Sequence, residues 1–446
     1  MSVSIRAISE NETVAKNKAV STFMVATIVV LSMGFWIIDH RWDQSVYAAG
    51  MDELAYTGAE NATADRLTEV NAGSTVSRLV IVGWAFLCFL TGKQKVTWNS
   101  TFLWISVIFA VFLASSVLWS IHPKHTVFKL GVLLVLTLSA YGLASRFTLR
   151  QMLNIICCTC LAFVVIGVVA EIAHGTFRPW GNYRFIGTCH PNTLAVYAAV
   201  MCMSARMYLV KDQSTLVAMT MLAIGVVVIL MTKSRTTFGA VVISMLATQV
   251  VSVRGNNRIL LIAVGFFAMG LVAIGTLFLS QQATVQLGNI VAMGRGDDVS
   301  SLTGRLPLWE ELLSWINKRP FLGYGYMAFW DADRVEKLSE MFKWEIPHGH
   351  NMYLDITLDI GIIGLIAYSI WFFSALQRAV KLFIKTNAIE FAIGFGIGVF
   401  ALINGCAESF FKIPTFHLFI LMSCFFGLLF EQPDESAAKK HSLRIT

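Results

Sequence analysis

Apolar stretches of about 20 residues recur along this sequence, and that is the length an α-helix needs to cross the hydrocarbon core of a bilayer. They lie near residues 20–38, 77–91, 101–119, 126–144, 152–170, 192–209, 214–232, 236–252 and 259–279, and resume at 353–374, 388–404 and 415–430. Such a chain has few architectures open to it. In lipid every backbone N–H and C=O must be bonded within the protein, which leaves only helices or closed barrels, and runs this long are helical. The sequence therefore predicts an all-α polytopic membrane protein with about twelve transmembrane helices, the run at 77–91 being the shortest. Composition agrees: 14% of residues are charged, against about 25% in soluble domains. The 32 Phe and 12 Trp suit lipid contact and interfacial belts.

A net charge of +7 would ordinarily raise a nucleic-acid reading, but the Lys and Arg fall mostly in short loops between the apolar runs, where membrane topology explains them. The first run follows a polar stretch with Arg6, Lys16 and Lys18 and has no small-residue cleavage site after it, which predicts an uncleaved anchor. An N-terminus in the cytoplasm places Lys93, Lys95, Arg146, Arg150, Lys211, Arg254, Arg258, Arg378, Lys381 and Lys385 inside, together with Lys439, Lys440 and Arg444. Both termini are then cytoplasmic. The expected organisation is a cytoplasmic tail at 1–19, a transmembrane domain at 20–430 and a cytoplasmic tail at 431–446. Outer segments fall at 39–76, 171–191 and 280–352. Cys157, Cys158 and Cys160 lie in an apolar run without metal-ligand spacing, and Cys189 and Cys406, both facing outward, read as buried thiols rather than a disulfide.

Cations in short outer loops run against the positive-inside rule and need a reason. Lys233 and Arg235 stand in one such loop, and Arg178 and Arg184 in the segment EIAHGTFRPWGNYRFIGTCHP. Interfacial arginines reaching for lipid phosphate are one explanation. Convergence with several outer histidines favours another, an anion site, because a guanidinium fork matches phosphate geometry and stays charged. A pyrophosphate is the natural anion for such a cluster.

In the largest outer segment, Thr303 is placed to cap a short amphipathic helix with Pro307 in its first turn. Trp309, Leu312, Leu313 and Ile316 follow as its apolar face, Pro320 and Gly323 end it, and Arg305 precedes Trp309 by one turn. Such a helix is expected to lie along the membrane surface and cover a cavity. The segment closes on EIPHGHNMYLDITLDIGIIGL, with His348 and His350 just before a span and Asp355 and Asp359 one turn apart inside it. Histidine suits proton transfer near neutral pH when a carboxylate orients it. The same residues also read as helix caps, or less readily as metal ligands. His122 and His190, each beside a proline, read first as loop residues.

WSIHP at 119–123, GTCHPN at 187–192, KSRTTFGA at 233–240, GRLPLW at 304–309 and HNMYLDITLDIGIIGL at 350–365 together resemble the superfamily of O-antigen ligases and bacterial surface-polysaccharide polymerases. The first three look most like its exopolysaccharide-polymerase branch. The resemblance implies a multi-pass glycosyltransferase of the bacterial inner membrane that uses an undecaprenyl-pyrophosphate-linked oligosaccharide, with no cofactor and no metal. It implies that Arg235 and Arg305 hold the donor pyrophosphate, with Arg184 and His190 in matching outer loops. It also implies that His350, which precedes Asn351, activates the acceptor hydroxyl, with clustered cations helping to keep its imidazole neutral. His348, Asp355 and Trp309 support that motif. Membrane lipid and other polysaccharide export or assembly proteins are the expected partners, and nucleic acid is not. The sequence departs from the family in its short second span and long acidic first outer loop. Competing readings are an O-antigen ligase with lipid A-core as acceptor, a transporter of polysaccharide or lipid-linked sugar, and a non-catalytic assembly subunit. A transporter gathers ionisable groups near the bilayer midplane, and here they gather at one face.

Overall fold

A computed structural model describes residues 2–39, 72–92, 94–98, 100–180, 183–209, 215–253, 300–344, 346–409 and 415–430. The predicted span at 259–279, the C-terminal tail and most of the predicted outer loop at 39–76 lie outside the described residues. The helices in chain order are α1 (Ser2–Asp39), α2 (Ala72–Leu90), α3 (Thr101–Ser115), α4 (Pro123–Arg146), α5 (Leu149–Ala173), α6 (Pro191–Ala205) and α7 (Thr215–Met231). They continue as α8 (Arg235–Ser252), α9 (Ser300–Lys318), α10 (Ala332–Phe342), α11 (Met352–Thr386), α12 (Ile389–Asn404) and α13 (Phe416–Gly427). Among the described residues the only β-pairing is an isolated bridge between Val96 and Phe430.

Among the described residues, five helices are long and apolar enough to cross a membrane: Val20–Ile38, Thr101–Leu118, Pro123–Arg146, Leu149–Ala173 and Met352–Thr386. Four shorter apolar helices fall on other predicted spans, at Ser74–Leu90, Thr215–Met231, Ile389–Asn404 and Phe416–Gly427. The predicted spans at 192–209 and 236–252 fall on α6 and α8. The chain is an integral membrane protein of helices. The segment 1–19, read as a tail, continues the first span without a break from Ser2.

α6 is the central helix. From Leu194 to Ala205 it is buried on every side, and a helix apolar all round belongs inside a bundle rather than against lipid. Small residues let neighbours close on one another. A side chain at Gly142 of α4 would collide with the Ala85 carbonyl of α2, so the two backbones touch there. Buried hydroxyls bond back along their own helices, as Ser244 does to Ala240 O at 2.6 Å and Thr248 to Ser244 O at 2.7 Å in α8. The tight turn between α4 and α5 is fixed by a capping box: Gln151 N donates to Thr148 Oγ1 at 3.3 Å while Thr148 N donates to Gln151 Oε1 at 3.0 Å.

α11 breaks at Gly361, whose φ of 69° and ψ of −176° are outside any helix. The freed groups are taken up by the segment after α9. Tyr324 N and Gly325 N donate to Leu358 O and Asp359 O, both at 2.8 Å, and Ile362 N and Ile363 N donate to Pro320 O and Phe321 O at 2.8 and 3.3 Å. Pro320 and Gly323, read as helix stops, thus also stitch the end of α9 into the break. No side chain fits at position 361, because a Cβ there would lie on Phe321 O.

Two ends of the bundle are distinguishable. At one, Gln94 N meets Ser145 O, Thr97 N meets Leu429 O, and Arg378 reaches Leu428 O at 2.6 Å and Thr97 Oγ1 at 2.7 Å. At the other, Trp119 Nε1 donates to Leu322 O at 2.6 Å, Ile121 N to Tyr324 O and Met352 N to Gly405 O. The segments singled out by the sequence meet at this second end.

Candidate functional site

The loop between α12 and α13 supplies the centre of the site, and a carboxylate is its focus. Glu408 Oε1 accepts from Asn192 Nδ2 at 2.7 Å and lies 3.7 Å from Arg305 Nη2; its Oε2 lies 3.9 Å from His350 Nδ1. The last two separations are ion-pair distances, longer than hydrogen bonds. Burial pushes the Glu408 carboxyl up, but His350, Arg305 and His190 around it outweigh that and hold it down, to about 2. Glu408 is therefore ionised at every working pH.

Arg305 reaches this point from α9. That helix differs from its prediction in two ways. It begins at Ser300, so Thr303 lies within it rather than capping it and Pro307 is interior. Its buried face is Leu308 and Leu312, with Leu313 turned out at 48% exposure. The shift leaves Arg305 and Trp309 on one face, as expected from their one-turn spacing. Arg305 Nη1 donates to Ala407 O at 2.8 Å, and Trp309 Nε1 donates to Gly349 O at 2.9 Å. Both residues thereby clamp α9 onto the loops that carry Glu408 and His350.

His350 stands in the turn before α11 with a φ of 48°, a left-handed conformation uncommon for a side-chain-bearing residue. Its surroundings hold it there. Gly349 N donates to Asp355 Oδ1 at 3.0 Å, the Ser409 hydroxyl donates to Asp355 Oδ2, and His350 N donates to His348 Nδ1 at 3.1 Å. Asn351 caps α11, its Oδ1 accepting from Tyr353 N at 3.0 Å and Leu354 N at 3.3 Å. The rings of His348 and Trp344 flank that of His350, with centroids 4.1 and 5.3 Å away. Both ring nitrogens of His350 are buried, and neither makes a hydrogen bond within the described residues. Asp355 thus shapes the turn instead of contacting the histidine ring, and the carboxylate beside that ring is Glu408 rather than either aspartate of the motif.

Arg184 enters through an intermediary: its Nη2 donates to Asn192 Oδ1 at 3.2 Å, and Asn192 in turn donates to Glu408. Its Nε donates to Thr232 O at 2.9 Å, which fastens the segment before α6 to the α7–α8 turn. His190 caps α6, its Nδ1 accepting from Asn192 N at 3.3 Å. Arg235 opens α8 beside Ser234 and two residues before Thr237, whose hydroxyl donates to Asn404 Oδ1 at 3.3 Å at the end of α12. That contact brings the start of α8 to the helix leading into the Glu408 loop. Cys189 is buried and Cys406 exposed, and neither is in a disulfide, so the expectation of burial fails at Cys406. Among the described residues no group of three or more His, Cys, Asp or Glu is placed to hold a metal ion.

The sequence reading missed two carboxylates. Glu408, in GCAESFFKIPTF, is a lone acid between two apolar runs on the face where cations and histidines gather, and that opposition of charge was the available signal. Glu171 ends α5 and organises the Arg184 segment: its Oε1 accepts from Ile186 N and Gly187 N, both at 2.8 Å, and its other oxygen accepts from the Tyr183 hydroxyl.

The arrangement can bind an anion and move a proton. Arg305 uses part of a five-donor guanidinium on Ala407 O and Glu408, and both ring nitrogens of His350 keep their hydrogen-bonding capacity within the described residues.

Residues 220–369, which include Arg235, Arg305 and His350, match the family model described as O-antigen ligase. The exopolysaccharide production protein ExoQ of Rhizobium meliloti is 24% identical over 357 residues, covering 75% of this chain and 78% of that protein. A protein of Rickettsia conorii with a polysaccharide-ligase name is 35% identical over 100 residues, covering 21% of this chain and 24% of its own length.

Proposed function

From the premise that this chain is an integral membrane protein whose residues 220–369 match the O-antigen ligase family model, we propose that it polymerises surface or exopolysaccharide repeat units. The donor is an oligosaccharide on undecaprenyl pyrophosphate, and transfer occurs on the outer face of the bacterial inner membrane, both termini being cytoplasmic. The observation that carries this reading is the convergence of Arg305 and His350 on one partly buried point, within 3.7 and 3.9 Å of Glu408.

The chemistry follows from the groups. His350 takes the proton of the acceptor hydroxyl, the oxygen attacks the anomeric carbon, and the bond from that carbon to the pyrophosphate oxygen breaks. The departing pyrophosphate keeps the electron pair. Negative charge grows on that leaving group, and Arg305, Arg235 and Arg184 are the cations assigned to it. Preorganised donors to such a charge contribute about 3–4 kcal/mol each, and a positioned base about two to four decades in rate. No cofactor or metal is required by this scheme. Membrane lipid and the export and assembly proteins of the polysaccharide are the proposed partners.

The polymerase reading is supported by the similarity to ExoQ along three quarters of the chain. A ligase reading, transfer of the glycan to lipid A-core, is favoured by the domain match itself. Purified protein in vesicles containing the lipid-linked repeat unit distinguishes them. Longer lipid-linked glycans are the expected product. Transfer only to added lipid A-core would replace polymerase by ligase, and no transfer in either mixture would overturn the enzymatic reading.

A further inference from the structure

We propose that Glu408 is a positioning residue for His350, directing the proton on Nδ1 toward its carboxylate so that Nε2 faces the acceptor hydroxyl. The inference rests on the transferase reading above and deepens it. Three contacts argue for it. Glu408 Oε2 faces Nδ1, at 3.9 Å, and no other described acceptor bonds that nitrogen. An anion beside one ring nitrogen favours the tautomer with its proton there, leaving the lone pair on the other. The carboxylate is also held from behind: Asn192 donates to Oε1 at 2.7 Å, and Arg305, anchored on Ala407 O, stands 3.7 Å from the same oxygen.

Among the described residues, the titratable and polar groups around the pair come from several elements. Arg305 comes from α9, His348 from the turn before α11, and His190 and Asn192 from the start of α6. Asp355 is bonded to Ser409, next in sequence to Glu408, and His417 in α13 lies against the start of α6, its Nε2 3.4 Å from Thr193 O. Glu408 stays ionised among them, held down to about 2.

The arrangement ties donor to base. Oε1 answers to Asn192 and Arg305, the route by which Arg184 and Arg305 meet the donor, and Oε2 answers to His350. When a pyrophosphate draws Arg305 toward itself, the Glu408 charge is less compensated and orients the His350 ring more firmly once the donor is in place. The protonated imidazole then gives its Nε2 proton to water, and no other reactant is needed.

The test is steady-state transfer by reconstituted wild type, Glu408→Gln and Glu408→Asp, with undecaprenyl-pyrophosphate-linked repeat unit as donor. We expect Glu408→Gln to show a kcat lower by about ten- to a hundredfold, with KM for the donor within about threefold. Glu408→Asp, which keeps the charge, recovers most of the lost kcat. An unchanged kcat in Glu408→Gln, or a loss confined to KM, overturns the positioning role. Failure of Glu408→Asp to recover kcat overturns it too. Wild type that transfers nothing strikes the function instead, and so keeps the two failures apart.

Discussion

Two clusters in this protein share the same ingredients, a histidine, a carboxylate and an arginine, and use them differently. In the first, Asp331 caps α10 and takes Arg334 Nη1 at 2.6 Å and His122 Nε2 at 3.0 Å. His122 is 48% exposed there, and the groups satisfy one another at hydrogen-bond distance. In the second, Glu408 lies 3.7 Å from Arg305 and 3.9 Å from His350, with side-chain exposures of 17–22% for all three. Arg334 and Asp331 are 25% and 23% exposed, so outside His122 the two clusters are covered alike and distance is what separates them. Covering charges raises their cost unless they are closely paired, so a partly buried trio at loose distance keeps unspent capacity for a charged ligand. The closely paired trio satisfies itself and holds a helix end. Composition alone would have ranked the two alike.

The comparison is sharpest under truncation. Arg305→Ala and His350→Ala each lower glycan transfer by about a hundred- to a thousandfold, measured as product formed per unit of folded protein in membranes. Wild-type polymer from well-expressed Arg305→Ala cells would remove that residue from the site. A smaller effect is expected one step away. Asn192→Ala removes the link between Arg184 and Glu408, and lowers transfer about tenfold, read in the same assay. At the other cluster, His122→Ala leaves transfer within about threefold of wild type, because a half-exposed pair contributes little. A tenfold loss there would show that the first cluster, too, serves the reaction.

Stability against pH gives the subtlest contrast. The folded Glu408 carboxyl titrates at about 2 against an ordinary 4.5, so its ionised form favours the folded state. That contribution is complete above pH 4.5 and is lost as pH falls toward 2. In thermal unfolding of detergent-solubilised protein, Glu408→Gln melts below wild type at pH 7, and the gap narrows by pH 3. A gap that does not depend on pH would mean the substitution acts through packing alone.

Much of this was legible in the sequence, for reasons that differ by element. Long apolar runs announce helices because lipid permits little else, and the predicted spans within the described residues coincide with helices. Arg305 and Trp309 were readable as one face from their spacing. The start of α9 was not: Thr303 and Pro307 carry ordinary start signals, yet the helix runs through them from Ser300. Leu308 and Leu313 exchanged places for a related reason, since periodicity fixes a stripe but not which edge meets the neighbour. The break at Gly361 was hidden because a glycine in an apolar run reads as tolerated; only the backbone of 320–325 lying in the gap reveals its purpose. Glu408 was hidden for the opposite reason. A lone acid in a short loop has no periodicity to mark it, and its importance comes from residues over 50 positions away folding around it.

Which face of the membrane holds the site is open to direct chemistry. Glu336→Cys, on the exposed side of α10, is expected to react with an impermeant thiol reagent in cells whose inner membrane is intact. Labelling only after that membrane is breached would invert the topology.

The central claim is tested most directly by a carbohydrate gel of a deletion strain complemented with wild type or with His350→Ala. Secreted polymer, lipid-linked intermediates and lipopolysaccharide are compared side by side. Long polymer restored by wild type but not by His350→Ala, with single repeat units collecting on the carrier, is the predicted result. Polymer of normal length from His350→Ala cells would contradict the assignment of the base. Full-length chains stranded on the carrier beside uncapped lipopolysaccharide would make the protein a ligase.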